Sequence, residues 1–281
     1  MDTTNQVAPL RAAVAGWRAA GERIALVPTM GNLHAGHLAL VERARELADR
    51  IVVSVFVNPL QFGPNEDLAA YPRTLEEDQA KLAASGVDLV FAPGVDVMYP
   101  EGEARATISV AGLNDILCGA SRPGHFTGVA TVVAKLFNMA NPDLAVFGNK
   151  DYQQLVVIRR MVSELAFPIE IASVPTMRET DGLAMSSRNR YLSAAEREQA
   201  PELYRALGAL EAQLRAGQRD FAKLEAAALQ QLEKAGFRPD YVAVREPDTL
   251  AAPQPQSSSF IVLGAAWLGR ARLIDNVAVG G

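Results

Sequence analysis

The chain has 281 residues, of which 49% are hydrophobic and 21% charged, the balance of a soluble globular protein and not of a disordered or fibrous one. Its net charge of −5 provides no global basic field to hold nucleic acid or an anionic membrane, so any anion site must be local. A single cysteine, Cys118, excludes an intrachain disulfide and a cysteine-rich metal centre.

The length suits one large domain or two modest ones, and two are expected. The opening stretch "MDTTNQVAPLRAAVAGWRAAG" is polar and then amphipathic, without the charged-then-apolar layout of a signal peptide. The apolar runs near Ile51 and Val129 are too short to span a membrane. A reducing, cytoplasmic setting follows as the expectation.

From residue 23 to about 175, short β-rich runs alternate with helical patterns. The strand candidates are "RIALVP", "IVVSVFV", "VDLVFAP", "DLAVFG" and "PIEIASV", with helices expected near 36–48, 74–85, 126–140 and 152–165. Thr74 with Glu77 carries a capping-box signature for the second of these helices. Near-continuous apolar strands separated by helices predict a doubly wound, Rossmann-like parallel sheet covered on both faces. After Thr176 the pattern changes to two long helices, one opened by the capping box Ser193 with Glu196 and the other near 220–235. Three grouped strands follow, "PDYVAVRE", "SSFIVLGAAWL" and "ARLIDNV". Helices followed by grouped strands predict a smaller C-terminal α+β domain, with boundaries at 1–175 and 176–281. No internal repeat is evident.

In a doubly wound sheet, ligands bind beyond the carboxyl ends of the strands, so each strand-to-helix turn is a candidate site. The first is "PTMGNLHAGH", which spends two of the chain's three histidines, His34 and His37, on one turn. Gly31 and Gly36 permit close backbone approach, and unpaired N–H groups at the helix start favour an anion. On a helix already begun at His34, the two imidazoles would lie about 60° apart and could reach one phosphate. A cap or surface role, or a zinc site, is the competing reading.

The second turn, "FVNPLQFGPNEDLAAYPR", offers the neutral amides of Asn58 and Gln61 to a ligand bearing hydroxyls and a carboxylate, or is an ordinary loop. The third, "RPGHFTGV", holds Arg122 and His125, which could meet an anion, although a structural role for His125 at the helix start is favoured. In the fourth, "FGNKDYQQL", Lys150 sits at a helix entrance where its charge opposes the dipole unless an anion is present. Asp151 reads as an N-cap with Gln154 completing the pair, or Gln154 faces the same ligand as Gln61. The fifth, "RETDGLAMSSRNRYLS", supplies hydroxyl, backbone and guanidinium donors suited to phosphate, or is a solvated basic loop. None of these forms a nucleophilic triad, so the set is suited to holding phosphates more than to attacking a substrate.

Taken together and in this order, the five stretches resemble the pantothenate synthetase family, the pantoate:beta-alanine ligases among the H-x-G-H nucleotidyltransferases, over nearly the whole chain. The resemblance implies a homodimeric cytoplasmic enzyme of coenzyme A precursor synthesis with a C-terminal lid. It implies ATP with Mg2+, pantoate and beta-alanine as reactants, a pantoyl-adenylate intermediate, and AMP and pyrophosphate as products. ATP would contact Met30, Gly31, Asn32, Leu33, His34, Ala35, Gly36 and His37, then Gly148, Asn149, Lys150 and Asp151. Met177, Met185, Ser186, Ser187 and Arg188 would complete the ATP contacts. The catalytic set would be His37, in the proton-donor position, with His34 and Lys150. Gln61 and Gln154 would bind pantoate, with Gln61 also near beta-alanine and Asn58 beside it. Ala35 and Asn149 depart from the usual pattern, and the resemblance leaves the metal ligands unknown, with Asp78 a conceivable one. The rivals are another H-x-G-H nucleotidyltransferase, which would form no free AMP, and a nucleotide sensor without catalysis.

Overall fold

The computed structural model describes every residue except 64, 65, 67, 103, 255 and 281. The chain divides into two compact units, Met1–Gly148 with Val157–Pro175, and Asn149–Val156 with Thr176–Gly281. The segment Asn149–Val156, read in the sequence as part of 1–175, groups with the C-terminal unit. The cause is local, because Asn276 Nδ2 donates to the carbonyls of Asn149 at 2.8 Å and Lys150 at 3.0 Å.

In the first unit the elements run β1 (Asp2–Thr4), α1 (Val7–Ala19), β2 (Ile24–Thr29), α2 (Ala35–Leu47), β3 (Arg50–Val55), α3 (Leu75–Ala84) and β4 (Leu89–Phe91). Then come α4 (Val95–Met98), α5 (Cys118–Ser121), α6 (His125–Ala140), β5 (Leu144–Gly148), α7 (Tyr152–Glu164), which starts in the second unit, and β6 (Glu170–Val174). The six strands form one sheet in the order β1-β4-β3-β2-β5-β6. All its pairings are parallel. This is the doubly wound arrangement that the alternation predicts. Ile24, Ala25, Leu26 and Val27 are all fully buried, which explains why β2 reads as a continuous apolar run and not as an alternating one. On one face, Leu40, Val41 and Ala44 of α2 join Ala25, Val27, Ile51, Val53, Leu144 and Val146 in one core cluster.

β1 and the start of α3 also depart from the sequence reading. β1 is an additional edge strand, paired through Asp2, Thr3 and Thr4 to Leu89, Val90 and Phe91. Its three polar residues carry no apolar period to announce it. The capping box expected at Thr74 does not form. The Thr74 hydroxyl instead donates to Asp78 Oδ2 at 3.1 Å.

The second unit continues with α8 (Ala194–Gln199), α9 (Glu202–Arg215), α10 (Phe221–Lys234), β7 (Arg238–Arg245), β8 (Phe260–Leu268) and β9 (Ala271–Val279). The strands form an antiparallel sheet in the order β7-β8-β9. Leu203, Leu207, Leu210 and Leu214 of α9 and Leu224 and Leu232 of α10 pack on Val242, Val244, Phe260 and Val262. The Ser193–Glu196 capping box is present, with both reciprocal hydrogen bonds made. The long helix it was expected to open is split at Pro201, which has no N–H to continue the ladder, and becomes α8 and α9.

No helix among the described residues is long and apolar enough to cross a membrane.

Candidate functional site

β2 and β5 are neighbours, and from them the chain winds outward in opposite directions. Their carboxyl ends therefore mark the point where a sheet of this kind opens a binding crevice. β2 runs directly into the glycine- and histidine-bearing turn. Gly31 and Asn32 both adopt left-handed backbone, with φ of 78° and 52°. A Cβ on Gly31 would sit 3.0 Å from Asp78 Oδ2 and 3.1 Å from Val55 Cγ1, so glycine suits the positive φ and the space there is tight.

Asp78, fully buried on α3, fastens this turn. Its Oδ2 accepts from Asn32 N–H and its Oδ1 from Leu33 N–H, each at 2.8 Å. Lys81 Nζ donates to the Leu33 carbonyl at 2.9 Å, one turn further along the same helix. The Asp78 carboxylate is thus engaged on both oxygens by the turn itself and acts as a clip on it.

The helix begins at Ala35, one residue later than the two-on-a-helix picture assumed, and His34 is its N-cap. His34 Nδ1 accepts from Gly36 N–H at 3.1 Å, and His37 Nδ1 accepts from His34 N–H at 3.3 Å, a capping box made of two imidazoles. Their ring centroids are 4.1 Å apart. An Nδ1 that accepts a hydrogen bond carries no proton, so each neutral ring holds its proton on Nε2. The His34 carbonyl also takes the His37 and Leu38 N–H groups. Several of the backbone donors expected to face an anion are therefore used within the turn. Among the described residues, no group of three or more His, Cys, Asp or Glu side chains is placed to share a metal ion.

The turn after β3 holds Asn58 and Gln61. Asn58 is buried and its amide is committed internally. Nδ2 donates to Gln61 Oε1 at 3.1 Å and to the Gly128 carbonyl at 3.2 Å, while Oδ1 accepts from the Tyr99 hydroxyl at 2.8 Å and Leu60 N–H at 3.3 Å. Burial pushes the Tyr99 hydroxyl up to about 12, which keeps it a donor. Gln61 Nε2 lies 2.9 Å from Met30 Sδ, linking this turn to the first residue after β2.

Arg122 and His125 both lie against this turn. Arg122 makes a bidentate pair with Glu66, at 2.7 and 2.6 Å. Burial opposes ionisation of Glu66, but the paired guanidinium outweighs it and holds the carboxyl below the ordinary carboxylate range. His125 is the first residue of α6 and not its cap, the N-cap being Gly124.

In the second unit, Asn149, Lys150 and Asp151 form a single 3-10 turn leading into α7. Lys150 Nζ lies 3.5 Å from Asp151 Oδ2. Asn276 on β9 grips this turn by its two carbonyls, and its own N–H donates to Asp275 Oδ1 at 2.7 Å. Arg178 pairs with Asp275 through both nitrogens, at 2.6 and 3.0 Å, and its guanidinium stacks 3.7 Å above the Tyr204 ring centroid. Burial pushes the Asp275 carboxyl above its ordinary range against the pull of Arg178. Met177 and Met185 are bridged by the Met185 N–H to Met177 carbonyl bond at 2.9 Å, in a hairpin closed by Arg178 and Ala184. Ser186 caps the following 3-10 turn by accepting from Arg188 N–H at 3.3 Å, and Ser187 and Arg188 open that turn. Gln154 is half-buried in the first turn of α7, next to the buried Gln153.

The structure therefore brings His34, His37, Met30, Asn58 and Gln61 together in one unit. Within the other, the Lys150 turn and the 177–188 segment are both tied to β9, through Asn276 and Asp275. The sequence reading missed Asp275 and Asn276, and the available signal was two successive polar residues inside an apolar strand. Neighbouring strand residues face opposite ways, so both being buried requires a polar structure on at least one face.

The family model described as pantoate-beta-alanine ligase matches residues 2–278. The pantothenate synthetase of Thioalkalivibrio sulfidiphilus is 59% identical over 280 residues, covering 99% of this chain and 98% of that protein. That of Pseudomonas paraeruginosa is 56% identical over 280 residues, covering 99% of both. The crystal structure of pantothenate synthetase from Thermus thermophilus aligns with a TM-score of 0.93 at 52% identity over 100% of both chains. The pantoate-beta-alanine ligase of Francisella tularensis, solved with a beta-gamma ATP and beta-alanine, aligns with a TM-score of 0.80 at 33% identity, covering 99% of this chain and 97% of that one. With its sheet order, its double-histidine turn and a family match over almost its full length, the chain belongs to the pantoate-beta-alanine ligase family.

Proposed function

We propose that this ligase works in two steps at the residues described above. The carboxylate of pantoate, ionised at neutral pH, attacks the α-phosphorus of ATP. The bond to the bridging oxygen breaks, and pyrophosphate leaves. The uncharged amine of beta-alanine then attacks the acyl carbon of pantoyl adenylate, AMP departs with the bonding electrons, and the amine loses a proton to give the amide of pantothenate. Adenylation needs no general base. It needs charge stabilisation and in-line positioning, as other phosphoryl transfers do.

The observation that carries the residue assignment is the imidazole capping box. Both Nδ1 atoms accept backbone N–H groups, so the two rings are held in place side by side, and in this reading they meet the phosphate oxygens. In this reading Met30 to His37, Gly148 to Asp151, Met177 and Met185 to Arg188 contact ATP. His37, His34 and Lys150 carry the developing charge, and Gln61 and Gln154 orient pantoate without an ion pair that would blunt its carboxylate. Asn58 serves by holding Gln61. Magnesium arrives as part of the ATP substrate, held mainly by its phosphates. Active-site water must be kept from the acyl adenylate, which is the task assigned to closure of a C-terminal lid, 176–281. We extend the reading to a cytoplasmic homodimer, supported by the family resemblance.

The test is pantoate-dependent exchange of labelled pyrophosphate into ATP in the absence of beta-alanine. Exchange is expected, and addition of beta-alanine should release AMP and pantothenate in equal amounts. An active preparation that shows no exchange refutes the two-step scheme. Light scattering of the purified protein checks the dimer.

A further inference from the structure

The "RPGHFTGV" stretch has no ligand in the scheme above, yet two of its side chains converge on one atom, the backbone carbonyl oxygen of Gln61. Arg122 Nη2 donates to it at 3.1 Å and His125 Nδ1 lies 2.7 Å from it. Arg122 Nη1 is 2.9 Å from His125 Nε2. A guanidinium can only donate and a carbonyl can only accept, so both imidazole contacts are satisfied by one neutral tautomer. Its proton is on Nδ1, donated to the carbonyl, and its Nε2 accepts from Arg122. Glu66 holds the far side of Arg122 through two oxygens.

The Gln61 side chain is fixed from another direction. Asn58 Oδ1 must be the atom facing Leu60 N–H, and its Nδ2 the atom facing the Gly128 carbonyl, so the orientation of the Asn58 amide is unambiguous. Its Nδ2 then donates to Gln61 Oε1, which turns the Gln61 NH2 toward Met30 Sδ. A thioether is a weak acceptor, and a carboxylate or hydroxyl oxygen of a substrate displaces it readily. α6 also presses on the backbone here. A Cβ on Gly128 would lie 2.3 Å from the Leu60 carbonyl oxygen and 2.9 Å from Gln61 N.

We propose that Arg122 and His125 are positioning residues that act on pantoate through Gln61, by clamping its carbonyl while Asn58 orients its amide. The proposal rests on the reading of Gln61 as a pantoate ligand. In steady-state assays of the full-length enzyme, His125→Ala should raise the KM for pantoate roughly tenfold, the scale of one lost hydrogen bond, and leave the KM for ATP nearly unchanged. His125→Asn, whose Nδ2 can take the place of Nδ1, should restore most of the loss, whereas His125→Gln, with its amide one methylene further out, should not. In the Gln61→Ala background the backbone carbonyl and its contact with His125 remain, but the clamp has no side-chain amide left to position, so His125→Ala should add little to the pantoate KM.

A raised pantoate KM in Gln61→Ala with a normal one in His125→Ala overturns the clamp alone. So does a full additional effect in the double variant, or equal pantoate KM values in His125→Asn and His125→Gln. The Asn and Gln pair carries the test if His125→Ala fails to fold. An unchanged pantoate KM in Gln61→Ala overturns the assignment of Gln61 to pantoate, and the clamp falls with it.

Discussion

Replacing Asp78 by asparagine separates a clip from a metal ligand. The carboxylate is fully buried and accepts Asn32 N–H and Leu33 N–H at 2.8 Å each, with the Thr74 hydroxyl at 3.1 Å. Asparagine keeps one acceptor oxygen. Whichever way its amide turns, its NH2 faces the backbone N–H of Asn32 or Leu33, donor against donor. Losing one hydrogen bond to a charged acceptor and setting two donors against each other costs about 3 kcal/mol. For a chain of this size, at roughly 2–4 °C per kcal/mol, the thermal midpoint should fall by about 6–12 °C. The loss lands on Gly31 and Asn32, whose left-handed backbone is held by this contact, so the histidine turn should loosen with it. Differential scanning fluorimetry and pyrophosphate exchange, each run across a magnesium titration, measure both effects. The clip requires a lowered midpoint and a raised KM for ATP that added magnesium does not repair. A wild-type midpoint, or exchange restored by excess magnesium, refutes the reasoning and returns Asp78 to the metal.

Three further outcomes follow from the geometry. His37→Ala and Lys150→Ala should each slow pyrophosphate exchange by about 10²-fold or more, the usual scale for removing a preorganised charge-stabilising donor; unchanged rates would take them out of the site. Asn276→Ala removes both hydrogen bonds that hold the Lys150 turn to β9, and should raise the KM for ATP by roughly tenfold with a smaller effect on pantoate. Equal effects on both substrates would count against a specific hold on Lys150. Gly128→Ala forces a methyl group to within 2.3 Å of the Leu60 carbonyl oxygen, and something must shift. A stability loss of about 1–3 kcal/mol is expected from denaturant unfolding, together with a raised pantoate KM. A variant that matches the wild type in both would show that the 59–61 turn tolerates displacement.

Much of the fold is legible because apolar periodicity is strong where burial is complete. β2, β3 and β5 are covered on both faces, and their unbroken apolar runs say so without the structure. Ser193 and Glu196 likewise announce a helix start through chemistry local to four residues. Legibility ends where the decision is not local. Thr74 and Glu77 present the same pattern as Ser193 and Glu196, yet the Thr74 hydroxyl goes to Asp78, because Asp78 is already drawn to the histidine turn. β1 exists only because β4 offers it an edge.

The candidate site divides the same way. By itself the sequence determined which turns are candidates for the chemistry, since two scarce histidines, a lysine at a helix entrance and a serine–arginine turn are visible in residue type and spacing. It also determined the family, through five such stretches in order. Only the tertiary structure decided how those groups are held. The two imidazoles are fixed side by side because each Nδ1 accepts a backbone N–H. Asn58 is a strut because Tyr99, 41 residues away, and Gly128, 70 residues away, complete its hydrogen bonds. The Lys150 turn is gripped from 126 residues away by Asn276. Residue type sets what a side chain can donate or accept. Which partner satisfies it inside the protein depends on contacts between distant segments, and those exist only once the chain has folded.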